Sequence, residues 1–187
     1  MTRDWNRLPD PTPDATACPD CGAPILGGRR ACRELFHEVN QRLQADTWPR
    51  LSETRPASLG ETRPRVAAAA VRIGRLLVDS YALQHLDPYC RTAKELIYHI
   101  ASLCCGLEFS RSAAIYAALQ HSIDGPFPGD RPTPPLHLGK LTITSVSEAV
   151  TDADRVERIE AWARSVWDAY SELRNLGREW LKRAMAK

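Results

Sequence analysis

The 187-residue chain carries almost no net charge: 25 Lys and Arg stand against 23 Asp and Glu, a formal balance of +2. That balance offers phosphates no broad attractive field, so nucleic acid is an unlikely partner. Long apolar runs are also missing. None approaches the roughly 20 residues that span a bilayer, and residues 1–17 hold charges and prolines where a secretory signal would hold an apolar core. The chain therefore reads as cytoplasmic, with no membrane association. No Gly-rich phosphate loop follows a strand pattern and no Gly-x-Ser-x-Gly elbow occurs, which removes the usual signatures of nucleotide binding and of a hydrolase nucleophile.

What is present fits one all-α domain, a helical bundle with long Pro-rich loops. Hydrophobic content of 43% and charged content of 26% are ordinary for a soluble globular protein, and the length allows a good-sized core. Residues 1–17, with Pro9, Pro11 and Pro13, should be extended or mobile, leaving 18–187 as the folded unit. A Gly27-Gly28 turn precedes a helix from Ala31 to Ala45 with Leu35, Val39 and Leu43 on one face. Residues 46–65 hold a short tandem echo, Glu53-Thr54-Arg55-Pro56 and Glu61-Thr62-Arg63-Pro64, and read as loop. A second helix spans Val66 to Leu86 and is stopped by Pro88. Thr92 and Glu95 form a capping box for a third helix with Leu96, Ile97, Ile100, Leu103, Cys104 and Leu107 on its apolar face. A fourth runs from Arg111 to His121, with Ser110-Arg111-Ser112 read as its cap. Residues 124–139 are too rich in Pro and Gly for regular structure. An extended piece over Leu141–Thr144, a capping box at Ser145 and Glu148, and a long helix from Asp152 to Ala184 complete the pattern. Trp162, Trp167 and Tyr170 fall near one face of that helix and read as core.

The most informative stretch is Cys18-Pro19-Asp20-Cys21-Gly22. Two sulfurs at this spacing can face one ion, and Gly22 can take the positive φ that closes the knuckle. The expected cofactor is zinc, since a reducing compartment favours metal binding over disulfides. No second Cys-x-x-Cys follows, so two ligands must come from elsewhere. Cys32 and His37 are local candidates and would give C-x2-C-x10-C-x4-H, a plausible closed finger. His85 and His99 are distant candidates, with Asp79 nearby. If the second and third helices form a hairpin turning at residues 87–91, Asp79 and His99 each lie roughly 12 Å from the turn at about 1.5 Å of rise per residue, level with one another. His85 lies closer to the turn, where a loop-borne knuckle can dock. Asp79 sits in an apolar run, so it needs a partner such as His99, Tyr81 or Arg75. Cys90, Cys104 and Cys105 read as loop or packing thiols.

The pieces Cys18-Pro-x-Cys21-Gly22, Cys32, Val78-Asp79-x-Tyr81-x-x-Gln84-His85, His99, Gly139-x-Leu141-Thr142 and Trp162-Ala163-x-x-Val166-Trp167 resemble a family of uncharacterised bacterial proteins named only as a domain of unknown function. The resemblance spans most of residues 18–170. It implies no activity, but it favours Cys18, Cys21, Cys32 and His85 as the ligand set. Two positions depart from it: Gly74 stands where the family tends to place a His before the aspartate, and Leu86 stands where a Pro follows Gln-His. His37 has no counterpart in the pattern.

Three functions compete. The first is a binding or scaffold protein whose zinc is structural and joins the knuckle to the bundle, leaving other surfaces for a protein or small-molecule partner. The second is a metal-dependent hydrolase or group-transfer enzyme with an open zinc position and Asp79 or His99 as general base. The third is a zinc-knuckle nucleic-acid binder using Arg29, Arg30 and Arg33, which the charge balance disfavours. The first reading is preferred.

Overall fold

A computed structural model describes residues 16–47, 62–109, 113–122 and 130–186. Of the segment expected to be mobile (1–17), residues 1–15 lie outside the described residues, as do 48–61 of the expected loop (46–65), the cap at 110–112 and residues 124–129; the described ends of that loop, 46–47 and 62–65, are helical, because the π turn Leu43–Thr47 and the helix Thr62–Gln84 extend into it. Among those described there is no strand, and the architecture is an all-α bundle.

Helix α1 (Gly28–Arg42) starts three residues earlier than expected. Gly27 (φ 91°) and Gly28 (φ 58°) make the turn that launches it, with the Gly28 amide bonded to the Ile25 carbonyl at 3.2 Å. Its buried face is Cys32, Phe36, Val39 and then Leu43 in the π turn that follows (Leu43–Thr47). This differs from the expected Leu35–Val39–Leu43 stripe, because the knuckle and the core together cover Cys32 and Phe36 while Leu35 stays half-buried.

Helix α2 (Thr62–Gln84) is central and packs against most of the others. It ends two residues before the expected Leu86, and Pro88 does not stop it. The break falls at His85 (φ −126°, ψ 64°), and Pro88 sits inside the short helix α3 (Leu86–Tyr89). A proline is tolerated in a first turn because the amide it lacks has no intrahelical acceptor there. Helix α4 (Ala93–Cys104) carries the expected capping box: the Glu95 amide donates to Thr92 Oγ1 at 3.2 Å, and the Thr92 amide to Glu95 Oε2 at 3.0 Å. It buries Leu96, Ile97, Ile100, Leu103 and Cys104 and passes into a π turn, Cys105–Phe109. Helix α5 spans Ala113–Ser122.

The C-terminal third departs further from expectation. Helix α6 (Ile143–Ser147) replaces the extended piece, with Ile143 and Val146 buried one turn apart. Ser145 lies inside this helix, its hydroxyl donating to the Thr142 carbonyl at 2.5 Å, and the Glu148 amide goes to the Thr144 carbonyl at 3.3 Å, so the expected capping box of Ser145 and Glu148 is not formed. The single long helix is in fact two. Helix α7 (Asp152–Ala169) gives way at Tyr170 to a 3-10 turn, Ser171–Leu173, and then to α8 (Arg174–Met185). The Tyr170 hydroxyl donates to the Leu83 carbonyl at 2.7 Å, which pins this corner to α2. The break lets α7 pack on α2 while α8 packs on α4 and α5. Helix α1 lies at the edge, held more by α6 than by α2.

Candidate metal centre

The knuckle is built by two backbone bonds, Cys18 amide to Ala23 carbonyl (2.8 Å) and Gly22 amide to Cys18 carbonyl (2.9 Å), with Gly22 at φ 72°. Asp20 receives both Arg29 Nε and Nη2 at 2.6 Å, a bidentate pair that fastens the knuckle to the first turn of α1. One turn further on, α1 presents Cys32. The fourth member arrives from the end of α2. The His85 Nδ1–H donates to the Tyr81 carbonyl at 2.8 Å, which turns Nε2 towards the sulfurs and keeps it as the nitrogen a metal would take. The imidazole stacks on Tyr81 (centroids 3.9 Å, 19°), and Tyr81 stacks on Phe36 of α1 (4.0 Å, 17°), so a three-ring pile walls the centre.

Cys18, Cys21, Cys32 and His85 thus place four ligand atoms within 4.8 Å of one another, and the group could hold a metal ion. The separations discriminate further. A tetrahedral ion with metal–sulfur bonds of about 2.3 Å and a metal–nitrogen bond of about 2.05 Å sets sulfurs about 3.8 Å apart and sulfur–nitrogen pairs about 3.6 Å apart. Cys21 Sγ and Cys32 Sγ are 3.7 Å apart, and His85 Nε2 is 3.6 Å from Cys18 Sγ and 3.4 Å from Cys32 Sγ. A disulfide would need sulfurs at about 2.05 Å, and all three cysteines are free.

Electrostatics point the same way. Burial disfavours the His85 cation, yet its hydrogen bonds to Cys18 and Cys21 prevail and raise its pKa to about 9. Hydrogen bonds with Cys21 and Cys32 push Cys18 far below the ordinary thiol range, whereas Cys32, bonded to Cys18 and Cys21 and buried, is pushed far above it. Ionising one sulfur thus opposes ionising its neighbour unless a cation is present. A bound dication replaces those protons and releases them.

Asp79 and His99 are level across the α2–α4 hairpin, as expected, but they join a separate network. Asp79 is fully buried and accepts Arg75 Nη2 (2.6 Å), His99 Nδ1 (2.8 Å) and the Ser102 hydroxyl (2.5 Å). The Arg75 guanidinium also lies 5.1 Å from the centre of the Tyr98 ring. Neither Asp79 nor His99 belongs to the four-ligand group. His37 is exposed on α1 beside Phe36 and is likewise outside it, while Cys90, Cys104 and Cys105 are buried packing thiols. Two polar anchors were not foreseen. Ser102 follows His99 by three residues, a spacing that places both on one helix face. Gln84 is fully buried, donates to the Leu138 and Leu141 carbonyls at 2.9 and 2.8 Å, and accepts Trp162 Nε1–H at 3.0 Å. Its position within an apolar run was the available signal.

A groove of about 1390 Å³ runs between residues 133–141 and α7, floored by Leu141, Ala161 and Tyr170, and none of the four ligand residues lines it. No described helix is long and apolar enough to cross a membrane. Comparison with curated proteins and with solved structures finds no match. Residues 59–171 match a family of unknown function, DUF5946. The matched span includes Asp79, His85 and His99 and begins after the three cysteines of the candidate centre. With three-fifths of its length matched, the chain belongs to the DUF5946 family of unknown function.

Proposed function

We propose that this chain is a zinc-dependent helical scaffold in which Cys18, Cys21, Cys32 and His85 bind one structural zinc ion. The carrying observation is that all four ligand atoms lie within 4.8 Å of one another and that the Cys18–His85, Cys32–His85 and Cys21–Cys32 separations, 3.4 to 3.7 Å, are those of neighbouring ligands on one tetrahedral ion. A soft donor set of three thiolates and an imidazole selects zinc over magnesium or calcium. The metal clamps the knuckle and α1, an edge element, to the end of the central helix. A reducing cytoplasm keeps the thiolates available for it. The binding role then falls to surfaces away from the metal, such as the groove along α7, with a protein or small molecule as occupant.

The test is metal content followed by thermal melting with and without a chelator. About one zinc per chain is expected, with an absorption-edge signature of three sulfurs and one nitrogen. At metal a thousandfold above Kd, linkage stabilises the fold by about 4 kcal/mol, so chelation should lower Tm by about 8–16 °C. A metal-free preparation, or an unchanged melting curve after zinc is stripped, refutes the reading.

A further inference from the structure

The four ligands are not equally sheltered. Cys18 and His85 are 1% exposed and Cys32 is 0% exposed, whereas Cys21 is only partly buried. Of all six cysteines, Cys21 alone is not buried; Cys90, Cys104 and Cys105 are fully buried. Its sulfur lies 3.7 Å from Cys32 Sγ. A reagent from solvent therefore meets Cys21 first, and a second thiolate stands directly behind it.

We propose that Cys21 is an oxidation site through which a hydroperoxide opens the metal clamp, with Cys32 as the resolving thiolate. The inference rests on the zinc reading above. Metal ligation holds both sulfurs as thiolates, and thiolate character with access decides which cysteine oxidises. The Cys21 thiolate attacks the terminal peroxide oxygen; the O–O bond breaks, a sulfenic acid forms, and hydroxide (or alkoxide) leaves. The Cys32 thiolate then attacks the Cys21 sulfur, forming the S–S bond and expelling a second hydroxide. Two electrons pass from the two thiolates to the peroxide, and solvent protonates both leaving groups. Only Cys18 and His85 remain as ligands, and the ion departs.

What opens is defined by the bonds that do not depend on the metal. The knuckle keeps its internal backbone bonds and its Asp20–Arg29 tie to α1. It loses the bridge to His85 at the end of α2. The device thus uncouples the knuckle and the start of α1 from the central helix while the α2–α4–α7 packing stays intact.

The experiment treats the zinc-loaded full chain with hydrogen peroxide and follows released zinc with a chromogenic chelator, the new linkage by peptide mapping, and backbone protection by amide exchange. About one zinc should leave per chain, with a Cys21–Cys32 disulfide and faster exchange confined to the knuckle and the first turns of α1. Dithiothreitol with added zinc should restore the starting state. In parallel, iodoacetamide under native conditions should label Cys21 about tenfold faster than any other cysteine. A chain isolated without zinc refutes the metal reading itself. A zinc-loaded chain that keeps its metal in peroxide, forms a Cys18–Cys21 linkage instead, or labels Cys18 or Cys32 as fast as Cys21 overturns the proposed site and leaves the metal reading standing.

Discussion

Replacing Asp79 by Asn removes the buried carboxylate charge that faces the Arg75 guanidinium. In the native chain both carboxylate oxygens are used, Oδ1 by Arg75 and His99 and Oδ2 by Ser102. The Asn amide keeps one acceptor oxygen but turns an NH2 group towards donors. Ser102 can reverse its hydroxyl; Arg75 and its guanidinium charge cannot adapt in that way. Breaking a buried ion pair from one side costs about 3–5 kcal/mol. The Arg75 side chain retains 26% exposure, which lowers the figure to about 3 kcal/mol. For a domain of this size that is a fall in Tm of about 6–12 °C. Ser102→Ala, which deletes a hydroxyl that donates to Asp79 and accepts from Arg75 at 3.2 Å, should cost about 1.5–3 kcal/mol. The assay is urea or thermal unfolding of the zinc-loaded variants followed by circular dichroism. Asp79→Asn within about 0.5 kcal/mol of the parent, below the usual cost of one buried hydrogen bond, would refute the assignment of Asp79 as a structural anchor and reopen a catalytic role for it.

Other expectations follow from single contacts. Gln84→Leu strands the buried Trp162 Nε1 and frees the half-buried carbonyls of Leu138 and Leu141; at about 1–3 kcal/mol for the buried orphan and less for the carbonyls that water can reach, the loss in chemical unfolding should be about 2–4 kcal/mol. Thr92→Ala removes the capping box of α4 and should lower stability by about 1 kcal/mol, read as a Tm fall of about 2–4 °C. Glu108 titrates below its ordinary value because of its hydrogen bonds from Arg178, chiefly, and the nearby guanidinium charge. Its folded pKa is depressed, so its contribution is complete above the unfolded carboxylate value and disappears as pH falls through the folded one. The acid limb of a stability–pH curve should therefore flatten in Arg178→Ala; an unchanged limb would remove Glu108 from the account.

How much of this was legible depended on how local each cause is. The Thr92–Glu95 box and the Gly22 turn involve residues within four positions of one another, and sequence spacing reads them directly. The level placement of Asp79 and His99 needed only the helical rise and one turn. The break at Tyr170 was hidden, because no Gly or Pro marks it and the hydroxyl that pins this corner reaches Leu83, 87 residues away. The rotated face of α1 was hidden for a related reason. Cys32 is buried by the knuckle, so an amphipathic stripe drawn towards the bundle alone misplaces it by one residue. Pro88 misled because the rule that proline ends helices applies to interiors, and it occupies a first turn.

The stretch Val78-Asp79-x-Tyr81-x-x-Gln84-His85 gains a physical meaning from these contacts. At about 100° per residue, Gln84 lies about 140° around α2 from Asp79, and His85 leaves the helix at the break and turns to the knuckle side. The three polar residues therefore point in three well-separated directions. Asp79 meets His99 and Ser102 of α4, Gln84 meets Trp162 of α7, and His85 meets the knuckle sulfurs. A central helix that is apolar on every side is weakly determined in rotation, because one greasy face packs about as well as the next. Turning α2 by a single residue would strand a carboxylate, an amide and an imidazole together, each at a cost of a few kcal/mol. Tyr81 joins the arrangement twice, fixing the His85 tautomer through its carbonyl and stacking its ring between His85 and Phe36. The same short segment thus sets the rotation of the core helix and aims the one metal ligand that the core supplies, so the candidate centre depends on the register of α2 as much as on its own cysteines.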